Sequence, residues 1–151
     1  MISVKVLSRA ALKQISDNLG AAGRRKVLNA VGRRLKEMTQ ENFGPSGPWR
    51  PEDWPPYARD YPKYEKYEGE PATLIRRGKL VRSIYAHVTE NYAEVGSDVE
   101  YAAVHQFGGA VVPPRPYFPI RGTASGFNLI PQAQEEIERI AADMFIEEMS
   151  K

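Results

Sequence analysis

The chain has 151 residues, a formal net charge of +2, and 42% apolar and 26% charged residues, the make-up of one ordinary folded domain. It contains no cysteine, which excludes disulfides, thiolate catalysis and cysteine-based zinc sites. No apolar run approaches the ~20 residues that cross a bilayer, no secretion signal is expected at the N-terminus, and so small a charge does not by itself imply nucleic acid.

Ile2, Val4 and Val6 alternate with Ser3, Lys5 and Leu7, which predicts an N-terminal strand. Ser8 can cap a following helix, in which Leu12, Ile15 and Leu19 recur at spacings of three and four and Gly20 is the stop. The longest helix is predicted from about Gly23 to Phe43, with Val27, Leu28, Val31, Leu35 and Met38 as its buried stripe. Gly32 in mid-helix costs about 1 kcal/mol against alanine, so it marks close approach of another element. The opposite side carries Arg24, Arg25, Lys26, Arg33, Arg34 and Lys36. That face reads either as a solvated surface or as an electropositive surface for DNA backbone or an acidic partner.

From Gly44 to Pro71 the character changes. Pro45, Pro48, Pro51, Pro55, Pro56 and Pro62 exclude a long helix or a central strand. Trp49 and Trp54 head a group of aromatic residues here. The stretch is either an arm that orders on a partner or a loop pinned to its own domain by Trp49 and Trp54. Leu74, Ile75, Leu80, Val81 and Ile84 then resume the core through a helical turn. Ile84, Ala86 and Val88, then Ala93 and Val95, alternate with polar and aromatic residues around Glu90-Asn91, which predicts a hairpin with one buried face. Gly96 to Asp98 reads as the next turn.

Tyr101, Ala102, Val104 and Phe107 suit a short helix with one apolar side, stopped by Gly108 or Gly109 in a left-handed conformation. Ala110 to Val112 reads as a short strand, cut off by Pro113 and Pro114. Arg115 lies between prolines on a stiff, extended segment, where a cation loses little entropy on meeting a partner. Arg121 to Gly126 is a loop by composition. The last helix is predicted from about Leu129 to Met149, with Pro131 in its first turn and Ile137, Ile140, Ala141, Met144 and Phe145 as its buried stripe. Its outer face is acidic. The basic and acidic helix faces can meet between copies, pair within one subunit, or simply face solvent.

The chemistry-bearing residues form no recognisable catalytic pattern. Ser83, Ser97 and Ser125 lie in no nucleophile elbow, and the glycines at 122 and 126 lack a phosphate-loop ending. His87 and His105 are not at helical metal spacing, and Glu94, Asp98 and Glu100 lack the spacing of a calcium loop. As a general base His105 has no evident partner. Its structural reading is a residue of a helix's last turn, bonding free carbonyls. No catalytic, metal or cofactor-binding residue is expected.

Tyr101-Ala-Ala-Val-His105-Gln106-Phe107-Gly108, followed by Pro114-Arg115-Pro116-Tyr117-Phe118, resembles the signature of the phage virion-morphogenesis family. That signature runs Tyr-Ala-x-x-His-Gln-Phe-Gly, a gap, then Pro-Ala-Arg-Pro-Phe; here Pro114 replaces the common Ala and Tyr117 the common Phe. Leu74 to Ile84 is similar to the family's Leu, Gly, Leu, Ser-Ile segment, with Arg77-Gly78 where Thr-Gly is frequent.

The resemblance implies a structural protein of Mu-like tailed phages and prophages, acting in tail completion or head–tail joining and not as an enzyme. Its place would be the virion, and the host bacterial cytoplasm during assembly. Its partners would be its own copies in a ring, taken as a hexamer from tail symmetry, and neighbouring tail or neck proteins. No cofactor, membrane or small-molecule substrate is expected. Arg115, Tyr117, Phe118, Trp49, Trp54, Arg24, Arg25, Arg33 and Arg34 are the expected partner contacts. Tyr101, His105, Gln106, Phe107, Gly108, Pro114 and Pro116 form the structural motif. The expected fold is α+β: one domain over 1–151, a small antiparallel sheet packed by two long helices, with a Pro/aromatic-rich insertion at 44–71. The alternatives are a nucleic-acid-binding module that contacts DNA backbone through the basic helix face, and a metal-dependent hydrolase near His105.

Overall fold

The alternating residues at the N-terminus do form a strand, and that strand belongs to an antiparallel sheet. The structure is a computed structural model that describes residues 2–7, 19–43, 47–54, 79–110 and 113–151. The helix expected after Ser8, most of the Pro/aromatic insertion, and the strand residues Val111 and Val112 lie outside the described residues. β1 (Ile2–Leu7), β2 (Tyr85–Val88) and β3 (Tyr92–Ser97) make one sheet in the order β1-β3-β2. Val4 stands opposite Val95, and Ala86 stands opposite Val95 on the other side. The hairpin between β2 and β3 turns where expected. Thr89 donates its N–H to the Tyr92 carbonyl at 2.9 Å, and its hydroxyl accepts the N–H groups of Asn91 and Tyr92 at 3.1 and 3.2 Å. A hydroxyl that holds its neighbours in this way favours a turn over a continued strand.

α1 (Ala21–Glu41) lies across β2 and β3. Its stripe of Val27, Leu28, Val31, Leu35 and Met38 is buried as expected, and each such side chain contributes about 1.5–3 kcal/mol by leaving water. Gly32 is where helix and hairpin come closest. A Cβ placed there would stand 3.1 Å from Val88 Cγ2 and 3.4 Å from the Ala93 methyl. The missing side chain lets the backbone approach, and that approach outweighs the glycine's poor helix propensity.

The turn α2 (Lys79–Arg82) delivers the chain into β2, and α3 (Ala102–Phe107) follows β3. The stretch 121–126, read as a loop, is instead the tip of a second hairpin, β4 (Ile120–Thr123) and β5 (Gly126–Leu129). Its outer positions are exposed polar residues and glycines, so the apolar alternation that betrays a strand is missing. Gly96, read as a turn residue, lies within β3, where the Ile2 carbonyl comes too close for any Cβ.

α4 (Pro131–Met149) opens on Pro131 and packs on α1. It runs antiparallel to α1: Arg34 Nε meets Glu136 at 3.4 Å near the start of α4, and Lys26 meets Glu148 at 3.7 Å near its end. Basic and acidic helix faces thus meet within one subunit. Ala133, Ile137 and Ala141 are buried beneath, while Ile140, Met144 and Phe145 are only half-buried. The α+β class with two long helices therefore holds, the second helix packing chiefly on the first.

Replacing Gly32 by leucine is expected to overpack the α1–hairpin contact and lower stability by about 1–3 kcal/mol. Urea denaturation of the two proteins measures this; equal midpoints would contradict the close approach.

Candidate functional site

The proline-rich segment after α3 cannot enter a sheet along its length, because prolines have no N–H to donate. Its remaining backbone groups are buried and need partners. Nearly all of them come from elsewhere in the chain. The Gln106 side-chain oxygen accepts the N–H groups of Tyr117 and Phe118 at 2.9 and 2.8 Å. The His105 carbonyl accepts the Arg115 N–H at 2.8 Å. Asn42, just past α1, donates its side-chain N–H to the Tyr117 carbonyl at 2.8 Å, and the Trp54 indole donates to the Pro116 carbonyl at 2.8 Å. The Tyr117 hydroxyl returns to α3 and donates to the Ala102 carbonyl at 2.6 Å. Burial pushes the Tyr117 phenol well above the ordinary tyrosine range, so it stays a neutral donor.

This clamp gives the Tyr101–Gly108 motif a physical meaning. α3 presents a carbonyl from one residue and a side-chain amide from the next, and together they grip the segment from Arg115 to Phe118. Gly108 ends the helix at φ 85°, with its N–H on the Val104 carbonyl at 2.7 Å. That dihedral suits glycine and few other residues. Phe107 lies 6.1 Å from Phe127 of β5 and so ties the second hairpin to α3.

The expected contact residues sit deeper than a docking edge requires. Tyr117 and Phe118 are fully buried and Arg115 is 6% exposed, so these three belong to the interior of the subunit. The physical reason is the clamp, which needs the segment's backbone inside. Within 113–118 only Pro113 and Pro114 face solvent.

The tryptophans are pinned to their own domain. Trp49 donates its backbone N–H to Asn42 Oδ1 and its indole N–H to Glu41, both at 2.8 Å. Trp54 packs edge-on against Phe43 at 6.3 Å and carries the Arg50 guanidinium 3.6 Å above its ring. The stretch 47–54 is therefore a pinned loop. On the basic face, Arg34 bonds Glu37, Glu41 and Glu136, and Arg24 donates to the Leu19 carbonyl at 3.1 Å. Arg25 and Arg33 remain exposed.

The helix α3 also turns differently from its apolar pattern. Ala102 and Gln106 are its buried residues, while Tyr101 and Val104 are 37% and 39% exposed. His105 has a buried Nδ1 that finds no hydrogen-bond partner among the described residues. Its ring meets the edge of Tyr101 at 5.6 Å. Burial, and then the charge of Arg115, hold its pKa below the ordinary 6.5. It is the His105 backbone carbonyl, rather than the ring Nδ1, that makes the structural bond.

Two residues that sequence reasoning passed over do much of the holding. Asn42 was not singled out, and Gln106 was noted only as part of a motif. Asn42 sits where a helix ends in Asn-Phe-Gly, which is the signal that marks it. Among the described residues no group of three or more histidines and carboxylates stands where it would hold a metal, and no helix is long and apolar enough to cross a membrane.

The fold and its clamp define a small α+β scaffold built to fix a stiff segment in place. The chain matches the model of the phage virion morphogenesis family over residues 5–143 and belongs to that family. It is 30% identical, over 96 residues, to the Mu-like prophage FluMu G protein 1 of Haemophilus influenzae, an alignment covering 62% of this chain and 63% of the relative. The match thus spans less than two thirds of that relative's length. No solved structure matches the chain.

Replacing Gln106 by leucine leaves the Tyr117 and Phe118 N–H groups buried without an acceptor. The expected loss is about 2–5 kcal/mol, read from denaturant unfolding against Tyr117→Phe, which should lose only about 1 kcal/mol. A second prediction concerns pH. A histidine held neutral in the fold binds protons more readily when unfolded, so its contribution is present above the ordinary pKa of 6.5 and is lost as pH falls below it. Thermal melts from pH 7.5 to 5 should show the parent chain losing stability relative to His105→Asn; parallel curves would contradict a buried neutral imidazole.

Proposed function

We propose that this chain is a structural protein of phage or prophage particle assembly that completes the tail or joins it to the head by docking. Membership of the virion morphogenesis family over residues 5–143 is the observation that carries this reading. The likeness to a Mu-like prophage protein supports it. The local chemistry agrees: the motif residues are engaged in holding backbone, as a scaffold requires, and the histidine within the motif has its ring nitrogen buried against the fold. Its work is binding to its own copies in a ring and to neighbouring tail or neck proteins. A ring follows from the task, since a joint around a tube repeats identical contacts by rotation.

The DNA-contact alternative draws less support, because Arg34 and Lys26 on the basic face are paired with α4 carboxylates. Among the described residues Arg25, Arg33 and Lys36 on that face are in no ion pair, a small footprint for counterion release.

The test is deletion of this gene from an inducible prophage that carries it, followed by electron microscopy of the lysate. Filled heads and separate or misfinished tails are the expected outcome, restored by the gene in trans. Joined, infectious particles at normal yield would overturn the reading.

A further inference from the structure

The surfaces expected to make contacts between copies are largely used inside the subunit; among the described residues the outer edges of the sheet are not. β3 is central, and neither β1 nor β2 has a strand on its outer side among the described residues. The hydrogen bond from Thr89 N–H to the Tyr92 carbonyl makes these two a bonded pair, and bonded pairs alternate along an antiparallel ladder. Tyr85 and His87 therefore aim their backbone groups at β3, and Ala86 and Val88 aim theirs outward. Continued across β3, the alternation leaves Ser3, Lys5 and Leu7 with outward backbone groups on β1.

The two edges differ in protection. Free edges are commonly guarded by lysine, proline or a bulge. β1 carries the exposed Lys5, whereas β2, reading Tyr-Ala-His-Val, has none of these devices and exposes Ala86 and His87.

Side-chain parity selects the partner and its direction. Val88 and Ala86 point at α1, where they are neighbours of Gly32. On β1 it is Ile2 and Val4 that are buried on that side. Ser3 and Lys5, with outward backbone groups, thus face their side chains away from α1. An antiparallel joint would pair outward residue with outward residue and place an incoming Lys5 on the helix-covered side. A parallel joint shifts the pairing by one residue. It sets an incoming Val4 beside Ala86 and leaves the incoming Lys5 on the open side, beside Tyr85, His87 and the acidic Glu94. Within one subunit β1 and β2 already run in the same direction, both antiparallel to β3. Repeating a parallel β2–β1 joint is a head-to-tail operation, which closes a ring when the rotation per copy divides a full turn.

We propose that β2 of one copy receives β1 of a second copy in parallel, joining copies head to tail into a closed ring. This rests on the reading that copies assemble, and it names the joint. Each joint is short, so an isolated pair is weak; closure holds every copy by two joints.

The chain's lack of cysteine lets introduced thiols report alone. Lys5→Cys protein is mixed with His87→Cys protein under mild oxidation, with Ser3→Cys covering the adjacent register. A disulfide-linked dimer of the two different variants is expected in the mixture, and none with either variant alone. A dimer of His87→Cys with itself would show β2 pairing with β2 and would overturn the proposal. Ala86→Pro removes only an outward N–H, so it should keep the fold and the circular-dichroism melt while losing the oligomer seen by native mass spectrometry. If the parent chain assembles yet no mixed disulfide forms and Ala86→Pro assembles equally well, the joint is wrong and the ring stands. If the parent chain is monomeric at every concentration tested, both fall.

Discussion

One buried side-chain oxygen holds two neighbouring backbone groups of the proline segment, and the rest of the structure is arranged around that grip. Gln106 accepts two adjacent backbone N–H groups, from Tyr117 and Phe118, in a fully buried setting. A proline-rich segment brings few donors of its own and cannot satisfy them in a sheet, so the fold must supply acceptors from side chains or leave polar groups stranded at about 1–3 kcal/mol each. Asn42 answers the same need from the other direction, donating to the Tyr117 carbonyl while accepting the Trp49 N–H. Through these two amides the end of α1, the tryptophan loop, α3 and the proline segment become one unit. The largest fully buried side chains, Tyr117, Phe43 and Phe118, sit at that junction.

The rest of the architecture depends on how closely elements approach. α1 settles on the hairpin because Gly32 has no side chain to hold it off. α4 then lies antiparallel on α1, and its carboxylates meet basic residues of α1 at both ends. Such partly exposed pairs are worth up to about 1 kcal/mol each, too little to build the fold. Burial of Ile137 and the small Ala133 and Ala141 supplies the adhesion.

Functionally, a rigid interior suits a protein of virion morphogenesis. Assembly proteins must present fixed surfaces, because ordering a flexible surface on contact subtracts from affinity. Here the residues with the largest faces are consumed in stiffening the subunit. Among the described residues the exposed large apolar side chains are Tyr101 just before α3, Val104 on it, and Ile146 and Met149 on α4.

Local periodicity by itself determined β1, the buried stripe of α1, the β2–β3 hairpin and the existence of α4, because in each the burial pattern repeats at the period of its own backbone. The family motif was legible for the same reason: its residues are contiguous. What only the tertiary structure decided was which way the polar and aromatic residues face. Trp49, Trp54 and Arg115 look like contact residues in a linear reading, yet each is held inside the subunit: Trp49 turns back on Asn42 and Glu41, Arg115 bonds the His105 carbonyl, and Trp54 bonds a carbonyl 62 residues away, as Asn42 bonds one 75 residues away. The β4–β5 hairpin hid among glycines and exposed polar residues, since only one end of it reaches the core. A side chain's direction in such places follows from whether distant backbone groups need a partner, and no local pattern encodes that need.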